Sequence, residues 1–202
     1  MSEWKLIGKP ALIIIHMQHA ITHPEGRVAF LGHAKATWDS GIIPRQQALL
    51  KAFREKKLPV IFVNAFTDPK TRFPVYGRFW QGIQKSGANF LGTKDVEVIS
   101  EVAPQPGEPI LYNWPFGIFT NNNLKQVLDD LKVETLVLAG VATDMAVLTA
   151  VFQASDMFYN LIVPNDASTS ANPKFHEAAM EMIDAIALVT STEDVISHLK
   201  EI

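Results

Sequence analysis

Short apolar runs alternate with helical patterns along this chain, and the alternation constrains the fold more than any other feature of the sequence. The runs are nearly continuous in apolar, β-branched residues and lie at 11–16, 59–64, 134–140 and 160–166, with weaker candidates at 109–113 and 186–190. Strands of this kind lack a polar face and must be covered on both sides. We therefore predict an α/β fold in which a parallel sheet lies between two layers of helices.

The segments between these runs place apolar residues at helical spacing. Helices are predicted at 42–57, 121–132, 143–157, 172–186 and 191–200. Asn172 and Ser191 are residue types that cap a helix N-terminus, and Thr143 is predicted to cap the helix after 134–140. Segment 65–108 is rich in proline, glycine and aromatic residues, which predicts a long irregular stretch that lines a site or makes subunit contacts.

The composition argues against several classes of partner. The 202 residues carry a formal net charge of −3 and no polybasic run, which argues against a nucleic-acid partner or an anionic membrane surface. No apolar stretch reaches the roughly 18 residues of a membrane span, and the first residues lack the apolar centre of a signal peptide. We expect a soluble, cytoplasmic protein with a single domain over 1–202 and no membrane partner.

Cysteine is absent from the sequence. Its absence excludes disulfide bonds, thiolate metal ligands and a thiol nucleophile within these 202 residues. Any chemistry at a site must therefore use other side chains or main-chain groups.

The candidate site positions follow the predicted strands, because ligands of open α/β sheets bind at the carboxyl ends of the strands. They are 16–23, 64–68, 113–119, 141–146 and 166. At 141–146 a strand passes into a helix, where main-chain N–H groups and the helix dipole favour negative charge. Ala142, Met145 and Ala146 occupy this turn, so the position that suits a reactive side chain carries none.

Three segments resemble the isochorismatase-like hydrolases, also called the cysteine hydrolase superfamily. They are "ALIIIHMQHAITHPEGRVA" at 11–29, "FLGTKDVEVISEVAPQPGEPILYNWPFGIFTNNNL" at 90–124 and "LVLAGVATDMAVLTAVFQASDMFYNLIVPNDAS" at 136–168. The resemblance covers nearly the whole chain. It implies one isochorismatase-like hydrolase domain with a three-layer, doubly wound, mostly parallel six-stranded sheet. It also implies a homo-oligomer, a dimer or tetramer, with the aromatic segment 65–90 as the contact surface.

The catalytic set that the resemblance implies is changed at all three positions. The family uses an Asp on the first strand, a Lys after the third and a Cys at the helix start after the fourth. His16, Asn113 and Ala146 stand at the matching positions. Ala146 has no lone pair for a nucleophilic attack, and Asn113 carries no charge. His16 can still exchange protons, since the ordinary histidine pKa is about 6.5.

The main-chain part of the family site is expected to remain. The resemblance implies a cis peptide bond between Val141 and Ala142, which aims the N–H groups of Ala142 and Ala146 at one point. Such a pair would hold a carbonyl or carboxylate oxygen. Two functions stay open: a hydrolase or lyase that uses His16 as acid or base on a small carbonyl, carboxylate or aromatic compound, and a catalytically silent homologue that binds a ligand or a partner subunit.

Aromatic residues near the expected crevice suit a flat apolar ligand. We predict that Phe66, Trp80, Trp114 and Phe116 contact it, with ordinary packing for the rest of the aromatic cluster, Phe73, Tyr76 and Phe79. Arg72 or Arg78 would pair with a ligand carboxylate, or else remain solvated or make a subunit contact.

No metal or other cofactor is predicted. His16, His19 and His23 have a spacing that would need a helix, but His16 ends a strand and Pro24 follows His23. The nicotinamidase branch of the family holds a metal through an Asp-x-His pair, where this chain has Phe66 and Asp68. Two further polar residues, Gln18 and Asp166, are predicted to satisfy loop backbone groups.

Overall fold

The computed structural model describes residues 4–68, 70, 76–114 and 116–202, which contain seven strands in one sheet. The strands are β1 (Lys9–Ile15), β2 (Val60–Ala65), β3 (Ile110–Asn113), β4 (Val133–Val141), β5 (Asn160–Pro164), β6 (Ser168–Thr169) and β7 (Leu188–Thr190). Their order is β3-β2-β1-β4-β5-β7, with β6 beside the end of β4. All the pairings between these seven strands are parallel.

Eight α-helices connect these strands in the described ranges. They are α1 (His19–Thr22), α2 (His33–Asp39), α3 (Ile42–Glu55), α4 (Arg78–Ser86), α5 (Leu124–Asp130), α6 (Leu148–Asp156), α7 (Pro173–Asp184) and α8 (Thr192–Leu199). A π-helical turn at Thr143–Val147 leads into α6. Of the helices in the described chain, none has both the length and the apolar character needed to cross a bilayer.

The helices form two layers, one on each face of the sheet. Ile13 of β1 belongs to a buried cluster with residues of α5, α6 and α7, whereas the next residue, Ile14, belongs to a cluster with residues of α3 and α8. Consecutive side chains of a strand point to opposite faces, so both faces of β1 are covered. This arrangement confirms the predicted α/β class with a parallel sheet between helices.

Two elements differ from the predicted pattern. β6 is a seventh strand beyond the six expected, and its two residues are too few to show any periodicity. The middle of 65–108 is helical at α4, so the expectation of one long irregular stretch is wrong there. Gly82 lies inside this helix, and glycine lowers helix propensity by about 1 kcal/mol relative to alanine.

The predicted helix caps have a mixed outcome. Asn172 accepts a hydrogen bond from the Lys174 N–H (3.0 Å) and Ser191 accepts one from the Asp194 N–H (3.1 Å), which confirms both as N-caps. The prediction for Thr143 is wrong, because the turn begins after Ala142 without a side-chain cap. The Thr143 hydroxyl instead lies 2.8 Å from His176 Nδ1 on α7. A buried hydroxyl therefore joins the turn to a neighbouring helix.

The chain leaves β1 toward β2 and β3 on one side, and β4 begins the other half of the sheet on the opposite side. The carboxyl ends of β1 and β4 thus meet at the topological switch point, where crevices form in open α/β sheets. The two strands approach closely there. Gly140 of β4 has φ +140°, and a Cβ on it would lie 2.1 Å from the Ile15 carbonyl oxygen. Only glycine fits this position.

Candidate functional site

His16 and Asn113 meet at the carboxyl edge of the sheet. His16 follows β1 with φ +52° and donates its main-chain N–H to the Val63 carbonyl (2.8 Å). Its Nε2 lies 2.8 Å from Oδ1 of Asn113, the last residue of β3. Asn113 Nδ2 donates to the Gly117 carbonyl (3.1 Å), which orients the amide so that Oδ1 is the acceptor. Nε2 of His16 therefore carries the hydrogen, and the lone pair is on Nδ1.

The His16–Asn113 pair is uncharged at neutral pH. Both side chains are buried, with His16 4% and Asn113 0% exposed. Burial lowers the pKa of His16 from 6.5 to about 4, and the hydrogen bond to Asn113 opposes the shift only in part. The two positions at which the family resemblance implies an Asp and a Lys thus hold a neutral hydrogen bond.

The turn after β4 forms another wall of the site. The Val141–Ala142 peptide bond is cis, as the resemblance implies. The Ala142 carbonyl accepts hydrogen bonds from the N–H groups of Met145 (3.1 Å) and Val147 (3.2 Å), which close the π-helical turn. Turns of this kind are frequent at functional sites. The oxygen-binding role of the Ala142 and Ala146 amides remains a prediction.

A narrow cavity of about 50 Å³ lies between β1, the turn after β4 and helices α2 and α4. One water needs roughly 10–15 Å³ on such a scale, so the cavity has room for a small molecule or for part of a larger one. His16, Ala142, Met145 and Ala146 line it together with the Phe116 ring. The remaining described walls are mostly aliphatic and aromatic.

The aromatic predictions divide into two groups. Trp80 and Phe116 line the cavity. Phe66 and Trp114 are not among the residues that line it. Trp114 stacks on Trp80 with ring centroids 6.5 Å apart, and Phe66 packs edge-on against Trp114 at 6.0 Å. Ligand contact by Phe66 and Trp114 remains a prediction.

The remaining ligand-contact candidates lie away from the cavity or outside the described residues. Arg78 is exposed at the start of α4 and does not line the cavity. Tyr76 is 86% exposed, whereas Phe79 lines the cavity and packs on Phe116 at 4.9 Å. The predictions for Arg72 and Phe73 fall outside the described residues.

The sequence predictions missed His33, which also lines the cavity. It is the first residue of α2 and is 8% exposed. No strand end or motif precedes it, so the only sequence signal is its place in the connection between β1 and α3.

Gln18 and Asp166 hold the loops around the site, which confirms their predicted scaffold role. Gln18 Oε1 accepts the Ala65 N–H (2.6 Å), and its Nε2 donates to the Ala65 carbonyl at 2.9 Å. Asp166 Oδ1 accepts from both the N–H and the hydroxyl of Thr192, each at 2.8 Å. These bonds satisfy buried polar groups that would otherwise destabilise the fold.

The histidines after β1 separate into two places. His16 enters the cavity, while His19 and His23 stack on each other at 4.3 Å with Glu25 nearby, their ligand atoms lying within 4.8 Å of one another. His23 Nδ1 accepts the Glu25 N–H (3.1 Å). A metal-bound histidine normally donates from its second nitrogen, so this contact does not suit a ligand. That the chain uses no metal remains a prediction.

The doubly wound sheet, with a cavity at its switch point that is lined in part by the turn after β4, has the fold of an isochorismatase-like hydrolase. The chain belongs to the isochorismatase family, because the model of the isochorismatase domain matches residues 10–194. Among its relatives, the isochorismatase family protein YwoC of Bacillus subtilis is 26% identical over 201 residues, covering 95% of each chain.

Solved structures share the same fold. A cysteine hydrolase from Pseudomonas syringae superposes with a TM-score of 0.80 at 22% identity, over 96% of this chain and 93% of that one. N-carbamoylsarcosine amidase from Thermoplasma acidophilum superposes with a TM-score of 0.73 at 25% identity, over 91% of this chain and 96% of that one.

Proposed function

We propose that this member of the isochorismatase family binds a small, uncharged carbonyl compound in the cavity and has lost the hydrolysis that proceeds through a covalent thiol intermediate. One observation carries the proposal. The three positions that match the family's catalytic set hold a neutral His16–Asn113 hydrogen bond and, at the turn, Ala146.

The chemistry of these three residues argues against turnover. Ala146 offers no nucleophile, and the chain contains no cysteine to replace it. Because burial lowers its pKa to about 4, His16 is neutral at pH 7 and is a poor general acid. An efficient general base has a pKa near the working pH, and the pKa of His16 lies well below pH 7.

The surroundings still support binding. The cavity sits where family ligands are expected, its walls are mostly apolar, and a few polar atoms remain to orient a ligand. Met145 and Phe116 line it, and its volume is only about 50 Å³. A narrow site without a nucleophile suits a protein that recognises a molecule without transforming it, or a subunit that supports a partner copy.

A second candidate is a hydrolase or lyase that uses no covalent intermediate. The observation that favours it is the tautomer of His16, which places a lone pair on Nδ1 of a cavity-lining side chain. That nitrogen could deprotonate a water, with the Ala142 and Ala146 amides stabilising the oxyanion that forms.

A panel of small amides, ureas and aromatic carboxylates separates the two functions. Binding is followed by thermal shift and turnover by product detection, on the natural protein and on His16→Ala. We expect binding of uncharged carbonyl compounds without turnover in either protein. Turnover that disappears in His16→Ala would establish the second candidate. If nothing binds, both are wrong and the partner-subunit role is favoured.

A further inference from the structure

Helix α7 carries a second apolar side that faces solvent. Phe175, Ala178 and Met182 are all exposed, and their spacing of three and four residues forms a stripe along one side of the helix. Ala179 and Ile183, each one residue further along than a member of this stripe, are buried, so the core side lies about 100° around the helix axis. Because the solvent side of a surface helix is ordinarily polar, the exposed stripe indicates a contact outside the single chain.

Helix α6 adds to this exposed apolar surface. The two helices contact each other and connect parallel strands of one sheet, so they run in the same direction and their solvent sides adjoin. Phe152 of α6 is 47% exposed, Phe175 57% and Met182 55%. Since a large side chain has a surface on the order of 200 Å², these three leave roughly 300 Å² of apolar surface in water. We call the surface formed by Phe152, Phe175, Ala178 and Met182 the α6–α7 face. Patches of its size are often functional.

The charges of α7 run against its own helix dipole. Lys174 lies in the first turn, whereas Glu181 and Asp184 lie near the end, and all three are exposed. A helix favours acidic side chains at its N-terminus and basic ones at its C-terminus. Within the described chain, none of the three makes an ion pair. An antiparallel second α7 would place Lys174 of each helix beside Asp184 of the other, which makes the same charges complementary.

This charge pattern favours a second copy of the chain over other partners. An isologous interface brings the same surface of two copies together, so a residue near one end of the helix meets a residue near the other end. The acidic side chains beside the stripe and the formal net charge of −3 disfavour an anionic membrane or a nucleic acid. A stable interface buries about 800 Å² on each partner, and the apolar α6–α7 face with its charged margin suits the centre of one.

We propose that the α6–α7 face is an isologous interface with a second copy of this chain, in which two α7 helices lie antiparallel across a twofold axis near Ala178. Phe175 of each helix packs on Met182 of the other, since thioether sulfur and aromatic rings make favourable contacts. The interface is separate from segment 65–90, which the family resemblance implies as a contact surface. Either surface alone gives a dimer, and both together give a tetramer.

Single cysteines test the position of the twofold axis, because the natural chain has no cysteine. In Ala178→Cys, two thiols face each other across the axis between helices spaced about 8–10 Å apart, so a short bismaleimide should join two chains. Lys200→Cys, exposed at the end of α8 in the other helix layer, is the control and should remain as single chains. Denaturing electrophoresis measures the product. Equal joining in the two variants, or none in Ala178→Cys, would overturn the inference.

A charge within the stripe tests whether this contact holds the copies together. Met182→Glu places a carboxylate in the contact, where it would be buried without a partner, so the mass should fall to half that of the natural protein at micromolar concentration. Ile202→Glu is the matched control, because Ile202 is also 55% exposed but lies beyond α8, and it should keep the natural mass. Light scattering after size-exclusion chromatography measures both. Equal masses for the two variants would overturn the inference.

A charge exchange tests the antiparallel order of the helices. Lys174→Glu should weaken association about fivefold, because a carboxylate then faces Asp184 of the second copy. The double variant Lys174→Glu/Asp184→Lys should restore association, whereas Lys200→Glu makes the same change of charge elsewhere and should have no effect. Sedimentation equilibrium measures the dissociation constants.

Three results would contradict the interface without affecting the ligand-binding cavity of the proposed function. The first is a double variant that associates as weakly as Lys174→Glu. The second is a natural protein that stays a single chain at micromolar concentration. The third is an assembly that Tyr76→Lys dissociates and Met182→Glu does not, because it would depend on segment 65–90 alone.

Discussion

The hydrogen bond between His16 and Asn113 determines what the site can do. The two buried side chains are uncharged at neutral pH, and each satisfies a polar atom of the other. A neutral pair orients a ligand through hydrogen bonds but supplies little charge to a transition state. Two residue-scale predictions follow from this bond.

The stability of the protein should depend on pH through His16. The pKa of His16 is about 4 in the folded state, against 6.5 ordinarily, so the unfolded chain binds the proton more tightly. The free energy of unfolding is unaffected by this titration above pH 6.5. It falls by roughly 3 kcal/mol as the pH drops from 6.5 to 4. Urea unfolding at several pH values should show this loss. Burial also lowers the pKa values of His33 and His176, which adds to the pH dependence of the natural protein. The contribution of His16 is therefore isolated by comparison with His16→Gln, whose stability should fall by about 3 kcal/mol less over the same pH range. Parallel profiles would refute the assignment.

Removing one partner of the bond should cost more than removing both. Asn113→Leu leaves the His16 Nε2–H unpaired in a buried site, which should lower the free energy of unfolding by about 1–3 kcal/mol. The double variant His16→Phe/Asn113→Leu removes both polar groups of the bond and should recover the part of the loss that comes from the unpaired Nε2–H, while the Gly117 carbonyl lacks the Asn113 donor in both variants. Denaturant unfolding of the single and double variants measures the coupling. Strictly additive losses would mean that the bond contributes nothing.

At the scale of elements, the adjacent carboxyl ends of β1 and β4 border the cavity. Ile15 pairs with Gly140, and the chain continues from each strand directly into cavity-lining residues. Any change in the spacing of these strands moves His16 relative to the turn at 142–146. The glycine at this junction is therefore a structural requirement of the site.

Gly140→Ala should be strongly destabilising. The new Cβ would lie 2.1 Å from a main-chain oxygen, and φ +140° is unfavourable for alanine, so we expect a loss of more than about 2 kcal/mol. Gly41→Ala is the control, because Gly41 has φ +76° with nothing within 4 Å of its Cβ, and it should cost only about 1 kcal/mol. Thermal unfolding compares the two. Equal losses would show that the contact with β1 relaxes easily.

The elements that the sequence predicted are those with a long, repeated pattern. β1 was expected at 11–16 and lies at Lys9–Ile15, and the helix expected at 42–57 lies at Ile42–Glu55. α4 was missed because its nine residues include a glycine and follow a proline-rich stretch. β6 was missed because two residues form no pattern.

The candidate site was predictable only where a local sequence pattern marks its residues. Such patterns, a strand end or a family motif, mark His16, Asn113 and Ala146. His33 begins a helix that folds over the strand ends, and no local rule connects it to the cavity. Phe66 stands just past a strand end but does not line the cavity, and its ring packs against Trp114, a tertiary contact that no local sequence pattern reveals.

At the scale of the whole molecule, the chain has the family fold, and the resemblance implies that three catalytic positions differ from the family set. The triple change His16→Asp, Asn113→Lys and Ala146→Cys tests whether the scaffold still supports the family chemistry. We expect a folded protein with measurable hydrolysis of activated amides or esters, because the turn and the strand ends remain. His16→Asp/Asn113→Lys without the cysteine is the control and should be inactive. A correctly folded but inert triple variant would mean that the cavity itself has been remodelled.

We also expect the chain to assemble as a homodimer or homotetramer. The family resemblance implies this, with the segment 65–90 as the contact surface, and Tyr76 within that segment exposes an apolar ring. Light scattering after size-exclusion chromatography measures the mass, and Tyr76→Lys should shift it toward that of the single chain. A monomer at micromolar concentration would contradict the expectation.

The absence of formal charge from the described lining of the cavity affects how a ligand arrives. Salt weakens binding by screening charge–charge interactions, and a neutral compound in this cavity would make none with the described lining. Its affinity should therefore stay nearly constant as ionic strength rises. Capture then depends on fit and desolvation after random collision, without long-range electrostatic steering. Such a site would respond to the concentration of its ligand and remain indifferent to the ionic conditions around it.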